Sequence, residues 1–218
     1  MNIKVFSIPN IKMPNIKAQS DTTVVKHLQN DVFVRSNNSP AFKGSEVSMH
    51  HELNGENCEI RYFLENPDSN LYKRLSAKEF MQDRIDEIDK EFENLEPLKE
   101  PCTVWRGRTE NPIIKRFNRD FEIIVNAKEG DIIVPDKAYS YTATHKSLAE
   151  NWCVCAKTLD DKPLKRIMYE INLPKGAKVS KNREHGGEIV MPRGAKYKII
   201  SKNIDYLGCI NVKLDYIP

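Results

Sequence analysis

The stretch EHGGEIVMPRG, from Glu184 to Gly194, places one carboxylate where a glycine-containing loop turns into a strand. Gly186 and Gly187 precede Glu188, and the apolar run that follows ends at Pro192. Glycine gives a loop conformational freedom, whereas a short apolar run bounded by turn residues is typical of a buried strand. Glu188 is therefore either an edge-strand charge after a glycine turn or a side chain held in place for chemistry. A catalytic carboxylate needs partners, so other segments decide between these interpretations.

The composition indicates a folded domain and argues against several functional classes. Of the 218 residues, 39% are hydrophobic and 30% charged, and the formal net charge is only +3. So small a charge does not point to nucleic acid, and no apolar run approaches the ~18 residues of a membrane span. The five cysteines lack the paired CxxC motifs of a zinc site, which predicts free thiols and no metal. The oligomeric state is open, with a monomer favoured.

The N-terminal part of the chain differs from the rest. Residues 1–20 contain lysine, asparagine and proline but no acidic residue, and no helical or strand period lasts in residues 1–45. This predicts a poorly ordered N-terminal extension or a secretion leader, with residual strand around Val32–Val34. Residues 46–218 are expected to form one folded domain.

A helical lead-in is predicted over about residues 70–98. Ser76 and Glu79 form a capping box, and Pro97 and Pro101 end the helix. The apolar positions that follow the cap at spacings of three and four are Phe80, Met81, Ile85, Ile88, Phe92 and Leu95. They predict one buried face of an amphipathic helix.

Residues 102–218 are typical of a β-rich core. The segments that predict its strands are CTVWRG, FEIIV, DIIVP, RIMYEINLP, EIVMP, KYKII and INVKLDY. Alternation in RIMYEINLP predicts that Ile167, Tyr169, Ile171 and Leu173 lie on one face of the strand. One inserted helix is predicted, with Thr144 as its N-cap and with Leu148 and Trp152 one turn apart. The fold class is therefore α+β, with helices first and a compact β core after them.

Two segments offer partners for Glu188. Arg106 lies near the end of a short strand, where a guanidinium either pairs with a core carboxylate or binds an anion such as phosphate. Gly107, next to it, lets a ligand approach the backbone. Thr142 lies two residues before Thr144, and its hydroxyl is placed to hold a carboxylate in one rotamer.

The order of these segments resembles the arginine–serine–glutamate class of mono-ADP-ribosyltransferases, which includes bacterial toxins, type III effectors and phage enzymes. The resemblance covers roughly residues 70–218. VWRG is similar to the arginine strand, TATHKSLAENW to the Ser-Thr-Ser strand and its helix, and RIMYEINLPKGAK to the strand before the catalytic loop. EIVMPRGAKYKI resembles the strand that follows the catalytic glutamate. The resemblance implies that residues 46–218 form a catalytic domain with a split β-core and an NAD cleft between two small sheets.

The resemblance also implies a reaction and residue roles. NAD would be the substrate, without a metal, and ADP-ribose would pass to a side chain of a host protein. Glu188 would bond the ribose 2′-hydroxyl and stabilise an oxocarbenium-like transition state, and Arg106 would bind the phosphates. Gly107 would face the nicotinamide amide, and Thr142 would orient Glu188. The expected NAD-binding residues are Arg106, Gly107, Thr142, Thr144, Trp152 and Glu188.

Two departures from the family leave the acceptor and the nicotinamide contact open. Gly186 stands where relatives carry a second acid or a glutamine that recognises the acceptor. Either Glu184 or His185 takes over that role, or both are loop surface. The aromatic residue that often covers nicotinamide is also missing, and Trp152, Tyr139 or an N-terminal residue would replace it.

Three functions remain in view. The first is a transferase secreted into the cytoplasm of a host cell, or a cytoplasmic enzyme if the chain is encoded by a phage. The second is an NAD glycohydrolase with water as acceptor, which Gly186 favours. The third is a catalytically inactive binding module on the same fold.

Overall fold

The structure is a computed structural model that describes residues 59–72, 75–113, 115–158, 160–182 and 187–218. All of these residues belong to one compact unit, Lys43–Pro218. The extension predicted over residues 1–45, with its strand around Val32–Val34, lies outside the described residues. So do Glu184, His185 and Gly186.

The lead-in is helical, as predicted. Residues 59–65 form α1, a 3-10 turn spans Asn70–Tyr72, and α2 spans Leu75–Asn94. The helix thus begins one residue before the Ser76 that the capping box predicts as its cap. The side chains of α2 that are buried include Met81, Ile85, Ile88 and Phe92.

Phe80 corrects the predicted core face of α2, because 59% of its surface is exposed. Successive helical residues turn by about 100°. Phe80 therefore projects far from the direction that Met81, Ile85 and Ile88 share, although its spacing to Ile88 fits the same pattern.

The β core is an eight-stranded sheet that divides into two parts. The strands are β1 (Cys102–Thr109), β2 (Ile132–Ile133), β3 (Ser140–Ala143), β4 (Arg166–Leu173), β5 (Ser180–Asn182), β6 (Glu188–Met191), β7 (Lys196–Ile204) and β8 (Cys209–Ile217). Their order is β2-β7-β8-β4-β1-β3-β6-β5. The single registered pair Trp105↔Ala143 joins β1 to β3, whereas β1 pairs with β4 along its whole length. The predicted α+β class is confirmed, and the two small sheets of the prediction are joined into one sheet at this pair.

The residues of β4 that the alternation predicts on the core face are all buried, although Arg166 and Met168 on the other face are buried too. Ile167, Tyr169, Ile171 and Leu173 are all in the main core, which also contains residues of β1, β6, β7 and β8. Apolar side chains on alternate positions of neighbouring strands thus cover one face of the sheet.

Two local predictions were wrong. FEIIV is not a strand: it lies in α3 (Arg119–Asn126), whose Phe121 and Ile124 are buried three positions apart. A short apolar run does not distinguish a strand from a buried helix. The inserted helix α4 (Lys146–Glu150) is preceded by His145 as its N-cap, without a side-chain cap bond. Thr144 is therefore not the cap, and its backbone N–H donates to the carbonyl of Gly187 at 2.7 Å.

Candidate active site at the junction of the two sheet parts

A pocket of about 600 Å³ lies where β1 meets β3 and β6. This volume is typical of small-molecule sites, which measure about 300–1,000 Å³. Its lining includes Arg61 of α1, Trp105, Arg106, Gly107 and Arg108 of β1, Tyr141, Thr142 and Ala143 of β3, Leu148 and Ala149 of α4, and Phe117, Trp152 and Glu188. The sequence-predicted residues Arg106, Gly107, Thr142, Trp152 and Glu188 therefore come together in one cavity.

Two arginines of the pocket share one carboxylate oxygen. Nη2 of Arg61 lies 2.8 Å and Nη2 of Arg106 lies 3.0 Å from Oδ2 of Asp136. The backbone N–H of Ala138 and the hydroxyl of Ser140 also donate to this carboxylate. Asp136 is only 7% exposed, so these donors replace the water that it gives up on burial.

The electrostatics of Asp136 follow from this arrangement. Burial alone would raise the pKa of Asp136, but the guanidiniums of Arg106 and Arg61 and the bond from Ala138 lower it below its ordinary value. Asp136 is therefore ionised at neutral pH and holds both arginines in fixed positions.

Arg108 forms a second pair beside the first. Its Nη2 donates to the carbonyl of Phe117 at 2.5 Å, and its Nε lies 3.0 Å from Oδ2 of Asp120. The hydroxyl of Tyr169 donates to the same oxygen of Asp120. Burial lowers the pKa of Arg108, Asp120 opposes this shift, and the guanidinium of Arg106 adds to it.

We refer to Arg61, Arg106, Arg108, Asp120 and Asp136 as the arginine cluster. Three guanidiniums meet two carboxylates, so one positive charge in the cluster is not balanced by its aspartates. Of the five N–H donors of Arg106, only Nη2 bonds to a residue that the structure describes. The cluster can therefore accept an anion at the pocket surface.

Gly107 is required by the packing of α4. A Cβ at this position would lie 1.9 Å from the carbonyl oxygen of Ala149 and 3.1 Å from Cβ of Cys153. The close approach of α4 to β1 forms one wall of the pocket, to which Ala149 also contributes. The predicted contact between Gly107 and nicotinamide stays a prediction.

Glu188 is the first residue of β6 and lies at the sheet junction. It pairs in register with Ala143, which in turn pairs with Trp105. The side chain of Glu188 is partly buried and lines the pocket. Its backbone is thus part of a hydrogen-bonded ladder, which is more rigid than a loop.

The two threonines act on the backbone around Glu188. The buried hydroxyl of Thr142 donates to the carbonyl of Ile189 at 2.8 Å. Thr144 packs against Gly187, where a Cβ would lie 2.2 Å from its Oγ1. The φ of Gly187 is +113°, a conformation that side chains disfavour. Thr142 and Thr144 therefore fix the residues on either side of Glu188.

Tyr139 and Trp152, the candidates for covering nicotinamide, differ in exposure. Tyr139 is completely buried. It stacks on Phe92 and donates its hydroxyl to Asp89, so the proposal that it covers nicotinamide is wrong. Trp152 lines the pocket and is 74% exposed, which leaves its indole accessible to a ligand.

The sequence did not reveal Arg61, Arg108, Asp120 and Asp136 as residues of the site. The sequence predicts that Arg106 either pairs with a carboxylate or binds an anion. The structure shows that Arg106 pairs with Asp136 and also lines the pocket. Asp136 lies just before a strand, in VPDKAYS. An acidic residue at this place is the sequence signal that could have identified it. Arg61 carries no local signal.

Among residues 59–218, as far as they are described, no group of His, Cys, Asp or Glu is arranged to hold a metal ion. None of the helices in the described ranges is long and apolar enough to cross a membrane.

No protein-family model matches the sequence, and no curated protein matches it. Solved structures do match. Vis toxin, an ADP-ribosyltransferase from Vibrio splendidus, is 17% identical over 95% of this chain and 89% of its own, with a TM-score of 0.59. The Clostridium limosum C3 exoenzyme is 15% identical over 94% of this chain and 98% of its own, with a TM-score of 0.55.

Exoenzyme S from Pseudomonas aeruginosa, solved with human 14-3-3 protein beta and carba-NAD, is a more distant match. It is 11% identical over 78% of this chain and 72% of its own, with a TM-score of 0.53. These similarities confirm the resemblance on which the predicted fold was based. The chain has the fold of the ADP-ribosyltransferase toxins.

Proposed function

We propose that the protein is an NAD-dependent mono-ADP-ribosyltransferase that cleaves the nicotinamide–ribose bond and transfers ADP-ribose to a side chain of a host protein. The observation that carries the proposal is the single pocket that joins Glu188 to Arg61, Arg106 and Arg108. A carboxylate near three guanidiniums suits a substrate with a pyrophosphate and a developing positive charge. The shared fold, including a neighbour solved with carba-NAD, supports NAD as that substrate.

The arginine cluster accounts for binding. A pyrophosphate carries two negative charges, and guanidinium groups bond its oxygens in pairs. Asp136 holds Arg61 and Arg106 in place before the substrate arrives, so little side-chain freedom is lost on binding. Asp136 is thus a positioning residue that acts through the two arginines.

Glu188 accounts for catalysis. Loss of nicotinamide leaves an oxocarbenium-like ribose, which a fixed carboxylate stabilises. The bond from Thr142 to the Ile189 carbonyl and the contact between Thr144 and Gly187 fix the backbone on either side of Glu188. An electrostatic partner fixed in advance costs no reorganisation when the charge develops.

The acceptor and the cell compartment belong to the same proposal. The acid-free residues 1–20 support secretion into a host cell, and the acceptor side chain stays open because it depends on the segment around Gly186. The secretion route can be tested with a reporter protein fused to residues 1–45. Delivery of the reporter into host cells would support the route, whereas its retention in the bacterium would count against it.

The test is incubation of the purified protein with labelled NAD and host lysate. The variant Glu188→Gln keeps the shape of the side chain and removes its charge. Its matched control is Glu170→Gln, since Glu170 lies in the same sheet, bonds Lys213 at 2.9 Å and does not line the pocket. We expect label on a lysate protein with the wild type and Glu170→Gln, and a loss of about 10²–10³-fold with Glu188→Gln.

The other outcomes separate the alternatives. Nicotinamide release without labelled protein would indicate an NAD glycohydrolase. No NAD consumption by the wild type would contradict the proposed reaction and favour a binding module. Equal labelling by the wild type and Glu188→Gln would contradict the catalytic role given to Glu188.

A further inference from the structure

Two cysteines outside the proposed reaction lie in contact. Sγ of Cys153 is 3.4 Å from Sγ of Cys209, although the residues are 56 positions apart in the chain. Cys209 is 5% exposed and Cys153 is half-buried, and both pack with Ala149, Met168 and Trp105. The other two cysteines in the described ranges, Cys102 and Cys155, are exposed.

The surroundings hold Cys153 in this position. The hydroxyl of Thr109 donates to the carbonyl of Trp152 at 3.0 Å and accepts from the N–H of Val154 at 3.0 Å, so it clamps the backbone on both sides of Cys153. The sulfur of Cys153 also lies 3.6 Å from the carbonyl of Ile167. Since a disulfide measures about 2.0 Å, the two sulfur atoms need to approach by only about 1.4 Å.

We propose that Cys153 and Cys209 form a dithiol modification site, which a hydroperoxide oxidises to an intramolecular disulfide. The sulfur of Cys153 attacks one peroxide oxygen, the O–O bond breaks, and Cys153 sulfenic acid and water form. The sulfur of Cys209 then attacks the sulfenic sulfur and expels a second water. The two thiols lose two electrons and two protons, and hydrogen peroxide becomes two molecules of water.

The order of the two attacks follows from burial. Cys153 is the more accessible thiol, so the oxidant reaches it first. Burial and the neighbouring Cys153 raise the pKa of Cys209 well above its ordinary value, which keeps Cys209 protonated and disfavours it as the first nucleophile.

The disulfide would tie the pocket wall to β8. Cys153 follows Trp152, which lines the pocket, and Cys209 is the first residue of β8. A disulfide between residues 56 positions apart closes a long loop and restricts the unfolded chain. The oxidised protein is therefore expected to melt about 5 °C or more above the reduced protein.

The experiment treats the full chain with hydrogen peroxide, blocks remaining thiols with N-ethylmaleimide and maps tryptic peptides by mass spectrometry. Cys153 and Cys155 share the peptide of residues 147–157, whereas Cys209 lies in residues 203–213. The variant Cys155→Ser removes this ambiguity. We expect a linkage between these two peptides that dithiothreitol reverses, present in the wild type and Cys155→Ser and absent in Cys153→Ser.

The melting temperature gives a second readout. Peroxide is expected to raise it in Cys155→Ser but not in Cys153→Ser. The proposal is overturned if the oxidised wild type yields no such linkage, if Cys209 links mainly to another cysteine, or if Cys153 is only over-oxidised. These outcomes do not depend on NAD, so they leave the proposed transferase untouched.

Discussion

At the residue scale, Asp136 holds two pocket arginines with one oxygen atom, and its removal would leave two guanidiniums close together. We expect Asp136→Asn to lower the free energy of unfolding by about 3–5 kcal/mol, since breaking a buried pair leaves charge uncompensated. Urea unfolding measures this loss.

The control for Asp136→Asn is Asp161→Asn. Asp161 pairs with Lys157 on the surface, where both side chains are more than half exposed. Such a pair contributes about 0–1 kcal/mol, and asparagine tolerates the positive φ of this position. Similar losses in the two variants would contradict the role given to Asp136.

At the scale of elements, the start of β6 depends on Gly187. Its φ is +113°, and a Cβ at this position would lie 2.2 Å from Oγ1 of Thr144, so both the backbone and the packing exclude a side chain. We expect Gly187→Ala to lose stability and to slow nicotinamide release, because relief of this clash shifts Glu188.

Gly130 offers the matched control, since its φ is +90° and a Cβ there would meet nothing within 4 Å. Gly130→Ala is expected to cost only the backbone term of about 1–2 kcal/mol and to keep full activity. Unfolding curves and nicotinamide release on both variants check this. Equal activity in the two variants would show that the close packing of Gly187 against Thr144 does not position Glu188.

At the scale of the whole molecule, Asp136 gives stability a pH dependence. Its pKa in the folded protein is lower than its ordinary value of 3.8, so the folded state binds its proton less readily than the unfolded state. The stabilisation is complete above about pH 4 and is lost as the pH falls through the lower, folded-state pKa. We expect the stability gap between wild type and Asp136→Asn to narrow as the pH falls below about 4, measured by urea unfolding. A constant gap would contradict this.

Much of the fold could be predicted because its signals are local. The alternation around Tyr169 and the glycine-to-strand transition at Glu188 each lie within a few residues, and the structure contains both elements. One failure has an equally local cause, since FEIIV is short enough to fit a helix or a strand, and the other has a distant cause. Thr144 has the chemistry of an N-cap, but its backbone bonds Gly187 from another segment.

The site was predictable only in part, because its electrostatics come from distant segments. Arg61 lies in α1, Arg106 in β1 and Asp136 in the loop before β3. Only the folded chain shows that both arginines share one oxygen of Asp136. A single sequence shows candidate arginines but not their partners. The pocket also joins α1 to the sheet junction, a contact that no periodicity encodes.

The most direct test of the central claim is nicotinamide release from NAD by the purified protein, because transfer to protein and hydrolysis both require cleavage of the same bond. We predict measurable release by the wild type and by Glu170→Gln, and release lower by about 10²–10³-fold with Glu188→Gln. No release by the wild type, or equal release by wild type and Glu188→Gln, would contradict the assignment of this pocket as an NAD-cleaving site.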